Sequence, residues 1–402
     1  MKNCVNGLEQ YKIELREELA SILNYWMSHT LDEINGGFYG KIDNDNNIHT
    51  NAPKGSVLNS RILWTFSAAY NLTKEEQYLK IADRAYHYII NHFVDKQYGG
   101  VYWTVNHKGE PLDTKKQIYA LSFLQYACSE YYKCNTSGEV KQLAIDLYNL
   151  IEKYSFDKER TGYLEAFSGD WQEIKDLRLS AKDANEKKTM NTHLHILEAY
   201  TNLYHIWPHA TLKNHITLLI KNFTDHIINK ETNHLHSFFD ENWNSKGDII
   251  SYGHDIEAAW LLSDAAKIIK DKIIIEEIKT IAVKMADAVA EGLDKDGGLW
   301  YEKENGHLVE EKHSWPQAEA MIGFYNAWEI SNDYKYLSQS KNSWIFVKQN
   351  ILDKNNKEWF WGVTKDNKPI AGEDKVGLWK CPYHNSRACI EIIRRINAAN
   401  SL

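Results

Sequence analysis

The chain repeats a short pattern, small or polar residues followed by an aromatic strand, at a nearly constant interval. We call the six copies markers: GGFYGKID at Gly36, GGVYWTV at Gly99, TGYLEAF at Thr161, NHLHSFFDE at Asn233, GGLWYEK at Gly297 and KEWFWGVT at Lys357. The residues just before the aromatic stretches are 37, 100, 162, 234, 298 and 358, so the steps are 63, 62, 72, 64 and 60 residues. A fixed period of this kind indicates a repeat architecture.

Two stretches with helical periodicity lie between successive markers. Between the first two, GSVLNSRILWTFSAAYNL is apolar on most faces, whereas EQYLKIADRAYHYIINHF carries a polar stripe. A helix that is apolar all round is enclosed by protein, and an amphipathic helix faces water on one side. Each repeat therefore supplies one inner helix, one outer helix and a short β-hairpin.

Closing six such helix pairs into a ring predicts an all-α fold, an (α/α)6 barrel of six helical hairpins and twelve helices with short β-hairpins at one mouth. An open solenoid of helix pairs would also show a period, but its end repeats need a polar cap. The first and last repeats here are as apolar as the middle ones. No linker rich in Pro, Gly or Ser divides the chain, so residues 1–402 are predicted to form a single domain.

The charge pattern argues against several partners. The formal net charge is -8 and no basic cluster offsets it, so we expect no binding to nucleic acid or to an anionic membrane. No apolar run is long enough to span a membrane or to act as a signal peptide, and we expect a cytoplasmic protein. The five cysteines show no CxxC spacing, which indicates reduced thiols. We expect a monomer and leave a homodimer open.

The first turns of the inner helices should open onto one end of the barrel, where a concave pocket would form. Every repeat places polar or aromatic side chains there, which is unusual for enclosed helices: Arg61, Tyr119, Asn191, His195, His254, Glu257, Trp315, Glu319, His384 and Arg387. A single buried histidine or carboxylate is more often structural than catalytic. Six sets at the same place in the repeat favour an active site.

Helical spacing predicts which of these side chains face the same way. His254 and Glu257 stand three residues apart, as do His384 and Arg387, and residues at this spacing share one helix face. We therefore predict that Glu257 orients His254 and that Arg387 orients His384.

Support for a metal site is weak. Zinc bound by one helix needs histidines at i and i+4, whereas His193 and His195 stand two apart, on different faces. We interpret His193 as structural. His195, His254 and His384 could converge on an ion from three helices, but no carboxylate or thiolate stands at an obvious fourth position. We predict no metal.

The candidate residues match proton abstraction beside a carbonyl in a carbohydrate. His254 and His384 fall in the first turn of a helix, where the helix dipole favours the neutral imidazole, and two histidines can serve as base and acid near neutral pH. Arg61 and His195 would stabilise a developing oxyanion. Flat faces for stacking on a sugar come from Tyr119, Trp315 and Trp379.

Several stretches closely resemble the cellobiose 2-epimerases, a branch of the N-acylglucosamine 2-epimerase superfamily. They are SRILWTFSAAY, YGGVYW, KTMNTHLHILEAY, SYGHDIEAAWLL, WPQAEAMIGFYNA and LWKCPYHNSRAC, and the likeness runs from about Asn35 to Arg394. The resemblance implies an (α/α)6 barrel that needs no cofactor. It also implies a disaccharide substrate, because these enzymes convert the reducing-end glucose of cellobiose, lactose and related β-1,4-linked sugars to mannose.

The resemblance further implies roles for individual residues. The family's acid/base pair matches His254 and His384, its arginine matches Arg61, and a further active-site histidine matches His195. The predicted substrate-binding set, which includes the family's stacking tryptophans and acidic neighbour, is Tyr119, Asn191, Glu257, Trp315, Glu319 and Trp379. Some members carry tryptophan before the residue that matches Trp315, where this chain has Ser314.

Three other functions remain open from the residues. An aldose–ketose isomerase uses the same enediolate intermediate and returns the proton to C1. An inverting glycoside hydrolase needs two carboxylates, for which Glu257 and Glu319 are candidates. A sugar-binding protein without catalysis is the third, and the two positioned histidines argue against it. No Walker-type loop predicts a nucleotide requirement.

Overall fold

The computed structural model describes residues 2–399, with side chains from residue 7 onward. Its helices are α1 (Lys2–His29), α2 (Ser56–Thr73), α3 (Glu76–His92), α4 (Ile118–Asn135), α5 (Gly138–Tyr154), α6 (Met190–Ile206), α7 (Ala210–Asn222), α8 (Tyr252–Ile269), α9 (Lys272–Val289), α10 (Ser314–Ser331), α11 (Tyr334–Phe346) and α12 (Tyr383–Ala399). Short π-helical turns extend α7 over Phe223–Ile227 and α11 over Val347–Ile351, and a 3-10 turn extends α9 over Ala290–Gly292.

The strands are two or three residues long and lie at one end of the barrel. They are β1 (Ile42–Asp43), β2 (Lys54–Gly55), β3 (Thr104–Val105), β4 (Pro111–Asp113), β5 (Lys116–Gln117), β6 (Ala166–Phe167), β7 (Lys188–Thr189), β8 (Phe238–Phe239), β9 (Ser245–Lys246), β10 (Ile249–Ser251), β11 (Glu302–Glu304), β12 (His307–Leu308), β13 (Glu311–His313), β14 (Gly362–Thr364) and β15 (Asp374–Val376).

The even-numbered helices form the inner wall of the barrel and the odd-numbered helices the outer layer. In α2 every residue from Ser56 to Ala69 is buried, whereas α3 buries one face only. Each inner helix packs against the next one, and α12 packs back against α2 and against α1. The predicted (α/α)6 barrel is therefore confirmed, and an open solenoid is excluded.

At the mouth of the barrel, strand pairing joins the six repeats into a ring, as helix packing does in the wall. The strand before each inner helix pairs antiparallel with a strand of the next repeat, which gives β2–β3, β5–β6, β7–β8, β10–β11 and β13–β14. The last such strand, β15, pairs with β1, with Val376 opposite Ile42. Hairpins within a repeat also occur, at β3–β4, β8–β9 and β11–β12. The sequence predicted the hairpins but not the pairing between repeats.

The markers themselves are tight turns that pack the barrel. At the first marker the N–H of the preceding Asp32 donates to the Gly37 carbonyl, and an equivalent bond closes the turn at every marker, one residue shorter at the fifth, where the Asp294 N–H donates to Gly298. Gly37 has φ +64, and a Cβ there would lie 2.6 Å from the Tyr88 ring, so the position requires glycine. Phe38 is fully buried in the core and Tyr39 packs against it.

A buried lysine ties five of the six marker turns to the strand before the next inner helix. The distances from Nζ to the carboxylate are 2.7 Å for Lys54–Asp32, 2.5 Å for Lys116–Asp95, 2.9 Å for Lys188–Asp157, 2.7 Å for Lys312–Asp294 and 2.7 Å for Lys375–Asp353. In the fourth repeat Asn229 and Ile250 occupy the two positions. Both charges are lost together there, because one buried charge without its partner is costly.

Within the described residues no helix is both long enough and apolar enough to cross a bilayer. Cys128, Cys134, Cys381 and Cys389 are free thiols, and the side chain of Cys4 lies outside the described residues.

The lysine–aspartate pair of the second repeat provides a stability test. Lys116→Ile leaves the Asp95 carboxylate buried without its cation and should reduce the free energy of unfolding by about 3–5 kcal/mol. The double variant Asp95→Asn/Lys116→Ile reproduces the fourth repeat and should lose distinctly less, because Asn can still accept the backbone N–H groups of Gln97 and Tyr98 that Asp95 accepts. Urea unfolding curves measure both, and a double variant less stable than the single one would contradict this account.

Candidate active site

The first turns of the inner helices and the strands before them surround a cavity of about 520 Å³, within the usual size range of small-molecule sites. Nine of the ten predicted catalytic and binding residues line it: Arg61, Tyr119, Asn191, His195, His254, Glu257, Trp315, Trp379 and His384. The exception is Glu319, which is fully buried behind His384. Glu319 was predicted to bind substrate, but its position allows it to act only through its neighbours.

Arg387 lies at the centre of the floor beneath this cavity. Its guanidinium is fully buried on α12 and donates to Glu198 of α6, Glu257 of α8 and Glu319 of α10, the last at 2.7 Å. The prediction that Arg387 orients His384 directly is wrong. Arg387 contacts the Glu319 carboxylate, and that carboxylate holds His384.

Glu198 holds His195 and was missed by the sequence analysis. The His195 Nδ1 lies 2.9 Å from Glu198 Oε2, and the Tyr383 hydroxyl donates to the other carboxylate oxygen. Burial alone would raise the pKa of Glu198, but Arg387 and His195 outweigh it and lower the pKa to about 2. The spacing of Glu198 three residues after His195 was a usable signal, since such residues share a helix face.

His384 is bonded to a carboxylate that has no direct path to water. Its Nδ1 lies 2.7 Å from Glu319 Oε1, and Trp260 Nε1 donates to Glu319 Oε2 at 3.0 Å. Burial lowers the pKa of His384 well below its usual range, and Arg61 and Arg387 lower it further. Burial raises the pKa of Glu319. The imidazole is therefore neutral near pH 7, with Nε2 left for a ligand.

His254 is held by a hydroxyl rather than by a carboxylate. Its Nδ1 lies 2.8 Å from Ser251 Oγ, one turn earlier at the end of β10. The predicted pairing with Glu257 is wrong, since that carboxylate bonds to Arg387 instead. Burial lowers the pKa of His254 to about 3, and His195 adds to this shift.

Trp315 packs against both histidines. Its ring centroid lies 4.7 Å from that of His254 and 5.5 Å from that of His384. This follows from the fold, because α8 and α12 flank α10, whose second residue is Trp315. The two imidazoles consequently approach the cavity from two different helices.

Four buried polar atoms of residues that line the cavity have no hydrogen-bond partner among the described residues. They are Arg61 Nε, His313 Nδ1 and two oxygens, Glu257 Oε2 and Asn191 Oδ1. Burial, and then the nearby Glu319, raise the pKa of Glu257 to about 8, so this carboxyl group retains its proton near neutral pH. Because a buried polar atom without a partner is costly, both oxygens are suited to bonding with ligand hydroxyl groups.

Arg61 supplies a fixed positive charge at the cavity wall. Its Nη2 donates to the Tyr119 hydroxyl at 2.8 Å, and its guanidinium lies 4.2 Å from the ring centroid of Phe123. Burial would lower the pKa of Arg61, but Tyr119 and Cys381 raise it above its usual value. A buried cation of this kind can stabilise negative charge on a ligand oxygen.

Two further predictions concern histidines and metals. The ring nitrogens of His193 are both used by the fold, since Nε2 accepts the Tyr163 N–H at 2.9 Å and Nδ1 contacts the Thr189 carbonyl at 2.6 Å. In the described part of the chain the ligand atoms of Glu257, Glu319 and His384 lie within 4.8 Å of one another. Arg387 donates to both of these carboxylates, so the cation that pairs with them is an arginine of the protein itself.

Much of the outer cavity wall was not predicted. The loop between β6 and β7 contributes Leu177, Arg178, Leu179, Ser180, Lys182, Asp183, Ala184 and Glu186, and the strands near β11 and β13 contribute Tyr301, Glu302, Glu304, Glu311 and His313. The loop has no hydrophobic period from which the positions of its side chains could be predicted. The strand residues line the cavity because their strands pair with strands of a neighbouring repeat, and the sequence does not show this pairing.

Comparison with known proteins agrees with this architecture. The family model of the N-acylglucosamine 2-epimerases matches residues 36–388. The chain is 49% identical over 388 residues to a cellobiose 2-epimerase of Bacteroides fragilis, covering 96% of this chain and 99% of that protein. It is 40% identical to a cellobiose 2-epimerase of Dictyoglomus turgidum over 391 residues, covering 97% and 100% of the two chains.

A solved structure gives the same result in three dimensions. The cellobiose 2-epimerase from Bacillus thermoamylovorans superposes with a TM-score of 0.92 at 41% sequence identity, covering 96% of this chain and 100% of that one.

The lowered pKa values predict how the histidines titrate in the empty protein. At about pH 5.5 an ordinary histidine, with pKa near 6.5, is about nine-tenths protonated. His254 and His384 should still be neutral there, whereas His234, whose pKa is raised because Asp255 outweighs burial, should be protonated. Nitrogen-15 NMR of the imidazoles, assigned with His254→Asn and His384→Asn, measures this. Half-protonation of either site histidine near pH 6.5 would contradict the burial argument.

Proposed function

Because the chain belongs to the N-acylglucosamine 2-epimerase family, a family of carbohydrate isomerases, we propose that it is a cellobiose 2-epimerase. It converts the reducing-end glucose of cellobiose, and of lactose, to mannose and back. The observation that carries the proposal is the placement of His254 and His384 on two different helices, both beside Trp315 and each with Nδ1 bonded to the protein. Inverting a carbon centre through a planar intermediate needs one proton-transfer group for each face.

We propose that the reaction begins with opening of the pyranose. His384 protonates the ring oxygen as the bond from C1 to that oxygen breaks, and the proton of the C1 hydroxyl passes to solvent water. This releases the aldehyde and acidifies the C2 proton. The hydrogen bond to Glu319 supports this step, because a carboxyl group with a raised pKa can share a proton with the imidazole.

Proton transfer at C2 follows. One of the two histidines, according to the direction of reaction, removes the C2 proton and gives a cis-enediolate. Arg61 and His195 stabilise the negative charge on its oxygens, and the fixed charge of Arg61 supports this role. After rotation about the C2–C3 bond the other histidine delivers a proton to the opposite face.

The remaining predicted residues bind the sugar in this proposal. Trp315 and Trp379 stack on sugar rings, while Tyr119, Asn191 and Glu257 bond to hydroxyl groups. The unpartnered oxygens of Asn191 and Glu257 at the cavity wall support this assignment. Glu319 acts through His384. We further propose that residues 1–402 form one catalytic domain, which the closure of the barrel by β1 and β15 supports. We also propose that this domain requires no cofactor.

Two competing functions receive less support. An inverting hydrolase needs an acid and a base carboxyl group roughly 6.5–9.5 Å apart. The candidates Glu257 and Glu319 have ligand atoms within 4.8 Å of one another, and both bond to Arg387. An aldose–ketose isomerase would use the same groups but return the proton to C1, so only the product distinguishes it.

Incubation with cellobiose in heavy water tests the proposal. The wild-type protein should give a mannose-ended disaccharide with deuterium at C2, detected by NMR and mass spectrometry. His254→Ala and His384→Ala should each lower kcat by about 10²–10⁴, the usual contribution of a general acid or base. His87→Asn, on the exposed face of α3, is the matched control.

Each alternative predicts a different outcome. A fructose-ended product would favour the isomerase, free glucose would favour the hydrolase, and binding without C2 exchange would indicate a sugar-binding protein. Near-normal epimerisation by either alanine variant would overturn the histidine assignment.

A further inference from the structure

The two oxygens of the Glu257 carboxyl group have different surroundings. Oε1 accepts a hydrogen bond from Arg387 Nη2, whereas Oε2 is buried without a hydrogen-bond partner in the described part of the chain. A guanidinium donates hydrogen bonds and cannot accept them, so Oε1 must serve as the acceptor. A proton on this carboxyl group therefore belongs on Oε2, the oxygen that is left for a ligand in the cavity that Glu257 lines.

The charges around Glu257 favour the protonated form. Three carboxyl groups share one guanidinium, and burial and then Glu319 raise the pKa of Glu257 against the opposing effect of Arg387. Titratable groups from four other helices face Glu257: Tyr119 of α4, Glu198 of α6, Glu319 of α10, and Tyr383 and Arg387 of α12. The cation among them is Arg387, and its charge is divided among three partners.

Glu257 also stands close along its helix to a proposed proton-transfer group. His254 precedes it by three residues on α8, and residues at this spacing share one helix face. Both residues line the cavity. In an open-chain sugar the carbonyl oxygen O1 is bonded to C1, the neighbour of C2. One helix face can therefore present a base to C2 and a proton donor to O1 of the same substrate.

We infer that Glu257 is a third proton-transfer group of the reaction, which donates its Oε2 proton to the carbonyl oxygen O1 as C2 loses its own proton. This inference rests on the proposed epimerase function, in which hydrogen bonds to hydroxyl groups are the only role given to Glu257. The further role is catalytic, because the carboxyl proton reaches a reacting atom.

The step balances in both halves of the reaction. The C2–H bond breaks, and its proton goes to the first histidine. The C–H electron pair forms the C1–C2 double bond, the carbonyl π pair moves to O1, and O1 takes the proton of Glu257 Oε2. This leaves a neutral enediol beside a Glu257 carboxylate. In the second half the carboxylate takes the O1 proton back, the carbonyl re-forms, and C2 receives a proton from the other histidine. Glu257 is thus neutral again after every turnover.

A proton donor at O1 complements the fixed charge of Arg61. The pKa of Arg61 lies above its usual value, so this guanidinium stabilises negative charge on an oxygen but keeps its protons. Glu257 can remove the charge on O1 by giving up a proton. The carboxylate that this step creates is already hydrogen-bonded to Arg387, which stabilises it.

The pH dependence of kcat/KM in the wild-type protein tests the inference first. Glu257 acts only while it holds its proton, and burial raises its pKa to about 8. Because kcat/KM reports the groups of the free enzyme, its value for cellobiose should fall about tenfold per pH unit above that pKa. Initial rates of formation of the mannose-ended product measure it. A profile that stays level to about pH 10 would overturn the inference, whether or not any variant folds.

Glu257→Gln separates proton donation from hydrogen bonding. The amide is neutral and of the same size, and it can accept from Arg387 and donate to a ligand, but it does not release a proton. The variant should lower kcat by about 10²-fold or more with KM nearly unchanged, and the fall of kcat/KM near pH 8 should disappear. Glu310→Gln, which removes an exposed carboxylate paired with Lys365, is the control and should retain both the rate and the fall.

The outcomes separate this inference from the proposed function. If the wild-type protein forms no mannose-ended product from cellobiose, the function fails and the inference fails with it. If the protein epimerises cellobiose but Glu257→Gln keeps a near-normal kcat, Glu257 only binds the sugar, so the inference is wrong and the function stands. If Glu257→Gln is slow but its kcat/KM still falls near pH 8, another group such as Glu319 carries the titrating proton, and the inference is also wrong.

Discussion

The ion cluster around Arg387 is the constraint on which the active site depends. One fully buried guanidinium meets carboxylates from three other helices, Glu198, Glu257 and Glu319. A buried charge is tolerated only when it is paired and hydrogen-bonded, so α6, α8, α10 and α12 must meet in one rotational and axial arrangement. That arrangement places His195 and His384 above their carboxylates.

The cluster also sets the protonation of the site. Three carboxylates share one guanidinium, so one of them must retain a proton more readily than usual. The pKa of Glu198 falls while that of Glu257 rises to about 8, which leaves a neutral carboxyl group facing the cavity. Burial keeps the imidazoles neutral, and His254 alone is attached to a hydroxyl outside the cluster. The two histidines are thus both neutral, but His254 is hydrogen-bonded to a hydroxyl group and His384 to a carboxylate.

The barrel around this ion cluster is built from a repeated unit. Six turns of the same kind join outer helices to the mouth, and strand pairs link each repeat to the next until β15 meets β1. Five repeats secure the turn with a buried lysine and aspartate, and the fourth replaces both with Asn229 and Ile250. The pair behaves as a unit because a lone buried charge costs more than an absent pair.

The sequence by itself determined the barrel and the part of the cavity wall that the inner helices form. The period of the markers fixed the number of helix pairs, and helical spacing placed residues such as His254 and His384 at the mouth. The partners of those residues were not predicted, and the partner of His384 was decided only by the tertiary structure. Helical spacing identifies neighbours on one helix, so it paired His254 with Glu257. The actual partner, Ser251, stands three residues before His254 at the end of β10. The partner of His384 is Glu319 of another helix, which only the packing of α10 against α12 brings within reach.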